Sequence, residues 1–135
     1  MAGDPSPLFA TLNVAVGGAI GAACRYQLGR AVTHWVGAGM AFPWATLAVN
    51  VLGCFAMGVL FGWLARFEGG TEATRLFIGV GLLGGFTTFS AFGLEMLQLI
   101  QRGSAGLAVI YAGISVLAGL AALYAGLLIM RGAAA

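Results

Sequence analysis

Charge in this chain is confined to the edges of four long apolar stretches. Leu8–Cys24, Phe42–Ala65, Leu76–Leu94 and Ser104–Met130 run for 17, 24, 19 and 27 residues without one Asp, Glu, Lys or Arg. A helix crossing a bilayer needs about 20 predominantly apolar residues. In lipid every backbone N–H and C=O must be paired within its own segment, so at these lengths only helices are available. The first stretch is short alone and reaches full length by running past Arg25, provided that charge faces protein or water. The reading is all-α: four transmembrane helices at roughly 8–30, 42–66, 74–101 and 104–131, forming one unit over residues 1–135.

Composition excludes the soluble alternative. Of the 135 residues, 61% are hydrophobic and 7% charged, whereas a soluble domain carries about 25% charged residues to cover its surface. A cleaved signal peptide needs a basic start, and residues 1–7 hold only Asp4, so the first stretch is read as a span behind a frayed tail. Cys24 and Cys54 both fall in apolar stretches and read as buried free thiols rather than a disulfide.

Topology is not decided by charge. Four spans place both termini on one side, with Arg66, Arg75 and Arg131; Arg25, Arg30 and Arg102 lie on the other, and there is no lysine. Orientation follows the Lys/Arg bias of short loops, which is here three against three. Insertion both ways, giving an antiparallel pair, and a weak bias tipped by local detail both stay open. Gly17/Gly21, Gly58/Gly62 and Gly81/Gly85 are Gly-x-x-x-Gly pairs that permit close helix approach. With 23 glycines, chance matches are expected, and packing within one chain accounts for them as well as dimerisation does.

The third span carries the sharpest local signal. Gly84-Gly85-Phe86-Thr87-Thr88-Phe89-Ser90-Ala91-Phe92 puts two glycines and two β-branched threonines, all poor helix formers, at membrane depth. The sequence predicts a break near 84–88. Freed carbonyls there are tolerated only if buried in protein or lining a cavity. Phe89 and Phe92 follow, three apart on one helix face.

Other polar residues join this segment. Asn50 lies mid-span with Thr46 one turn earlier; an interhelical hydrogen bond is the plain reading, and an amide with two donors also suits an anion. Glu95 follows Phe92 by one turn, and Arg25 lies late in span one. Both can snorkel to the interface, yet intramembrane charges are functional suspects. Tyr111 and Ser115 share a face of span four. Asn50, Thr87, Thr88, Ser90, Tyr111 and Ser115 are neutral donors, and Phe89 and Phe92 add positive ring edges. Such a set favours a small hard anion. An ion in a dry interior faces an idealised cost of order 20 kcal/mol. One hydrogen bond to a charged group returns about 1.5–3 kcal/mol, so several donors in succession are required.

Enzymatic readings fail. Gly79-Val-Gly81-Leu-Leu-Gly84 matches G-x-G-x-x-G, but that motif needs a preceding strand and an acid about 20 residues on; position 102 is Arg. No base–nucleophile pair or zinc-ligand spacing is present. His34, the one histidine, falls in the polar connection after span one and receives no role. No nucleic-acid partner and no organic cofactor are expected.

On these motifs the chain resembles the CrcB/Fluc family of fluoride channels. The likeness rests on Gly84-Gly85-x-Thr87-Thr88-Phe89-Ser90-x-Phe92, on Thr46-Leu-x-Val49-Asn50-x-x-Gly53 and on Gly21-Ala-x-x-Arg25-Tyr26, in the same order. The resemblance implies an antiparallel, dual-topology homodimer of four-helix subunits in a bacterial inner membrane, with two fluoride pathways. It implies a break in the third helix whose carbonyls, at Gly84 and Thr87, hold a central sodium ion. Pore phenylalanines would be Phe89 and Phe92, and the pore asparagine Asn50. Thr46, Thr88, Ser90, Tyr111, Ser115 and Glu95 would line the polar pathway, and Arg25 would gather anions near the vestibule. Two positions depart from the pattern: Ala91 replaces a common threonine, and Gly119 stands where the fourth-helix track commonly continues with a hydroxyl. The expected function is passive, fluoride-selective export. A small drug/proton antiporter, with Glu95 as its acid, and a non-conducting assembly subunit are the alternatives.

Overall fold

A computed structural model describes residues 6–66 and 70–132, all of them helical or in short connections. Helix α1 is Pro7–Val36 and α2 is Trp44–Arg66. The third span, Glu72–Gln101, is assembled from α3 (Glu72–Thr74), a π-helical segment (Arg75–Leu83), α4 (Gly84–Phe86) and α5 (Phe89–Gln101). Helix α6 is Ala105–Gly132. Four helices are thus long and apolar enough to cross a membrane. Their outward faces carry Leu8, Leu12, Val16 and Ile20 on α1 and Val109, Val116, Leu117 and Leu120 on α6, all exposed. So much contiguous apolar surface suits lipid and not water.

The helix ends follow local chemistry. Ser6 Oγ accepts from the Phe9 N–H at 3.3 Å, and Pro7 occupies the first turn, where no N–H is needed. Helix α1 continues past the expected end near 30 because nothing from Ala31 to Val36 interrupts it; it stops at Gly37, whose φ is 100°. His34 therefore lies in the last turn of α1 and not in a connection. Thr71 caps α3, its hydroxyl accepting from the Thr74 N–H at 3.2 Å. At the end of α5, Gly103 has φ 79° and the Ser104 N–H returns to the Leu99 carbonyl at 2.9 Å.

Packing is set largely by glycine. Helix α1 lies along the π-helical segment and α4, and α2 lies along α6. A Cβ at Gly17 would strike the Phe77 carbonyl, one at Gly21 the Leu82 carbonyl, and one at Gly81 would come within 2.9 Å of the Val14 carbonyl. Across the other pair, a Cβ at Gly58 would strike the Leu123 carbonyl and one at Gly126 the Phe55 carbonyl. The Gly-x-x-x-Gly pairs are therefore used within one chain, backbone against backbone. Both thiols are free, and Cys24 is exposed where burial was expected. The buried apolar cluster Leu47, Leu99, Ala108 and Tyr111 ties α2, α5 and α6 together beside the polar groups described next.

Candidate functional site

Thr87 and Thr88 lie between α4 and α5 with extended backbone, at φ −78°, ψ 159° and φ −149°, ψ 124°. Helical hydrogen bonding is redistributed around them. The Thr88 N–H, which in a continuous helix would serve the Gly84 carbonyl, donates to Asn50 Oδ1 at 2.8 Å. The Ala91 N–H, which would serve the Thr87 carbonyl, donates to Thr88 Oγ1 at 3.2 Å and so caps α5. Asn50 Nδ2 donates to the Thr88 carbonyl at 2.9 Å. One amide on α2 thus clamps both backbone groups of Thr88. The two-donor reading of Asn50 is corrected accordingly, because one of its N–H groups is committed to the backbone and one remains. The Thr87 hydroxyl turns back to the Leu83 carbonyl at 2.9 Å. Ser90 Oγ lies 3.4 Å from Thr88 Oγ1.

Cavities open on two sides of this segment. One, of about 280 Å³, is bordered by Asn50, Gly53, Cys54, Thr87, Thr88 and Phe89. The other, of about 370 Å³, brings Arg25 and Tyr26 of α1 to Thr46, Thr88 and Ala91. Thr88 belongs to both, and Arg25 shares a cavity with Thr88 although it lies 63 positions earlier in sequence.

Two turns along α5 lies a second cluster. Thr46 Oγ1 donates to Glu95 Oε1 at 2.6 Å, and the Tyr111 hydroxyl donates to Glu95 Oε2 at 2.8 Å. Both carboxylate oxygens are engaged, by α2 and by α6. Thr46 and Tyr111, expected as donors for an anion, therefore serve an internal acceptor. Tyr111 is fully buried. Its ring continues an aromatic row, with Phe92 at 5.1 Å, Phe89 a further 5.6 Å on, and Phe42 edge-on at 5.4 Å from the other side. Phe92 is packed, whereas Phe89 is 83% exposed.

One turn beyond Tyr111, Ser115 Oγ is buried and has no hydrogen-bond partner among the described residues. Next comes Gly119, where an added Cβ would lie 3.4 Å from Cys54 Sγ. The expected track thus runs Tyr111–Ser115 and then meets a thiol. Sequence reasoning missed three features: the π-helical segment over 75–83, the Thr46–Glu95–Tyr111 cluster, and Phe42 in the aromatic row. Only Phe42, an aromatic at the start of an apolar stretch, left a readable trace. Gly79–Gly84 sits on the π-helical segment and the first residue of α4, with no strand before it among the described residues, so it is no dinucleotide loop.

Fold and site together define a multi-pass membrane protein whose third span meets Asn50 of α2 at its non-helical residues and polar side chains of α2 and α6 at Glu95. The chain belongs to the CrcB-like family: the model described as "CrcB-like protein, Camphor Resistance (CrcB)" matches residues 12–127. It is similar to a protein of Novosphingobium aromaticivorans named fluoride-specific ion channel FluC, with 58% identity over 109 residues, 81% of this chain and 86% of the relative. A protein of the same name from Erythrobacter litoralis is 56% identical over 113 residues, 82% and 83% of the two chains. One from Sphingopyxis alaskensis is 52% identical over 104 residues, 77% and 81%.

Proposed function

We propose that this protein is a passive fluoride-selective channel of a bacterial inner membrane, formed by two copies inserted in opposite directions. Relatives named as fluoride-specific channels, at 52–58% identity over three quarters or more of this chain, support the substrate. The observation that carries the mechanism is the Asn50 clamp on Thr88. It holds two residues of span three out of the helix and leaves polar groups in cavities where an ion can meet them.

Arg25 attracts the anion into the cavity that reaches Thr88. The remaining Asn50 N–H, the Ser90 hydroxyl, the edges of Phe89 and Phe92, and the unpartnered Ser115 hydroxyl then replace its hydration in turn. Each contact is worth a few kcal/mol at most, so the succession and not one residue offsets dehydration. Thr46, Glu95 and Tyr111 form a hydrogen-bonded cluster whose hydroxyls can turn from the carboxylate to a passing anion. Phe89 is exposed in one copy and would be covered by the second. The Gly84 and Thr87 carbonyls, whose helical donors go to Asn50 and Thr88, suit a sodium ion, because backbone oxygen is a fitting ligand for a hard cation. Bound there, sodium would supply a fixed positive charge that lowers the cost of a nearby anion.

Efflux from liposomes tests the reading. Purified protein should release fluoride and retain chloride; free chloride flux without fluoride flux would refute it. A cysteine placed at Ala38 should react with an impermeant maleimide from both faces of cells in comparable amounts. Labelling from one face alone would exclude the opposed pair. Prolonged replacement of sodium by a large organic cation should weaken assembly or flux. A drug/proton antiporter would instead move a lipophilic cation against a proton gradient.

A further inference from the structure

Beyond the stretch that crosses the hydrocarbon, α1 carries a cationic cup. Its 30 residues span about 45 Å, against about 30 Å of hydrocarbon. The uncharged part comes first, so the surplus falls at the end holding Arg30, Thr33 and His34. These residues and Arg25 line an open cavity of about 680 Å³, with Ala38 and Ala45 also on its wall. The Arg30 guanidinium lies 5.8 Å from the centre of the Tyr26 ring, a cation–π contact that draws it back one turn towards Arg25.

Among the described residues no carboxylate balances these charges. Of the acids among the described residues, Glu95 has both oxygens engaged by Thr46 and Tyr111. Glu72 begins the third span at the opposite end, where Asn13 of early α1 donates to the neighbouring Ala73 carbonyl. Two guanidiniums sharing one open cavity repel each other unless an external anion joins them. The cavity is many times the ~30 Å³ share of one water, so a bare fluoride cannot touch both walls. A tetrahedral oxyanion can, because its several oxygens accept from two arginine forks, a hydroxyl and a ring nitrogen at once. Depth selects the source of that oxyanion. Trp35 (88% exposed) and Trp44 (42% exposed) flank the connection between α1 and α2, and tryptophan gathers at the headgroup level.

We infer that the cup formed by Arg25, Arg30, Thr33 and His34 binds the phosphate of an anionic phospholipid headgroup, in which, unlike phosphatidylcholine, no attached ammonium offsets the phosphate charge. This rests on the membrane-spanning reading and not on fluoride conduction, so its failure would leave the channel assignment intact. Native mass spectrometry of protein offered equal phosphatidylglycerol and phosphatidylcholine decides it. The intact protein should retain phosphatidylglycerol preferentially. Arg30→Gln should lower that retention about tenfold, the loss expected for one charge-assisted contact. Arg30→Lys should keep part of it, and Arg131→Gln, at the other end of the spans, should change nothing. Arg30 is exposed, so these variants should elute as the parent does in size exclusion. Equal retention of the two lipids, or phosphatidylglycerol retention unchanged by Arg30→Gln, would overturn the inference. So would saturation by inorganic phosphate, followed by ³¹P resonance, without any lipid preference.

Discussion

The two halves of the third span solve opposite problems. Its first half, Glu72–Phe86, lies against α1 largely through glycine, with backbone meeting backbone at Gly17, Gly21, Gly81 and Gly85. Its second half, from Thr88 to Gln101, meets α2 and α6 through polar and aromatic side chains: Asn50 on Thr88, Thr46 and Tyr111 on Glu95, and Phe92 on Tyr111. In lipid there is little hydrophobic drive for helices to associate, so contact must come from close packing or from hydrogen bonds. One half uses the first means and the other the second. The glycine half cannot accept an added atom where Gly81 and Gly85 meet α1. The polar half keeps hydrogen-bonding capacity that a ligand can redirect. Close backbone packing and side-chain hydrogen bonding are thereby separated along one span.

Substitutions can break that comparison, and the largest effect belongs to the glycine half. Gly21→Leu drives a side chain into the Leu82 carbonyl. Overpacking against backbone costs about 1–3 kcal/mol or more, and folded, monodisperse protein should be lost in size exclusion. Normal yield would show that α1 can move away.

Asn50→Ala comes next. It strands the N–H and the C=O of Thr88, at about 1–3 kcal/mol for each unsatisfied group. Fluoride efflux should fall by more than about tenfold, with a lower thermal midpoint in detergent. Unchanged efflux would reduce Asn50 to an ordinary interhelical contact.

The aromatic pair sharpens the contrast within the polar half. Phe92→Ile removes packing on Tyr111 and should cost about 1 kcal/mol of stability together with conduction. Phe89→Ile, at an exposed position, should lower conduction with stability unchanged in the separated subunit. Retained transport in both variants would remove the rings from the pathway.

Ser115→Ala has the smallest structural effect. Its hydroxyl has no partner among the described residues, so stability should shift by no more than about 0.5 kcal/mol, or rise slightly. Fluoride efflux should still decline. Loss of stability without loss of efflux would mean that the hydroxyl is a packing element.

Number, type and approximate limits of the helices could be read from the chain because each depends on local quantities: the length of an uncharged run, or the position of a glycine or proline. Even there, α1 overran its expected end, since Ala31–Val36 contain no stop signal and Gly37 supplies one. Individual polar residues could be named from the chain, but not their partners. Asn50, Glu95, Thr46 and Tyr111 could each be singled out, but 49 positions separate Thr46 from Glu95 and 38 separate Asn50 from Thr88. No local pattern says which hydroxyl faces which acceptor. The π-helical segment over Arg75–Leu83 was likewise hidden, because its composition is that of any apolar helix.

By itself, then, the sequence determined that this chain is a bundle of four membrane-crossing helices with a weak point in the third. Chain-local energetics in lipid leave no other option for long uncharged runs. Tertiary structure alone decided that Asn50 pairs with both backbone groups of Thr88, that Glu95 takes up two of the expected donors, and that the glycine pairs pack helices of one chain together. Those outcomes depend on which faces of distant helices meet. That pairing is fixed by the sum of all contacts across the bundle and is written in no single segment.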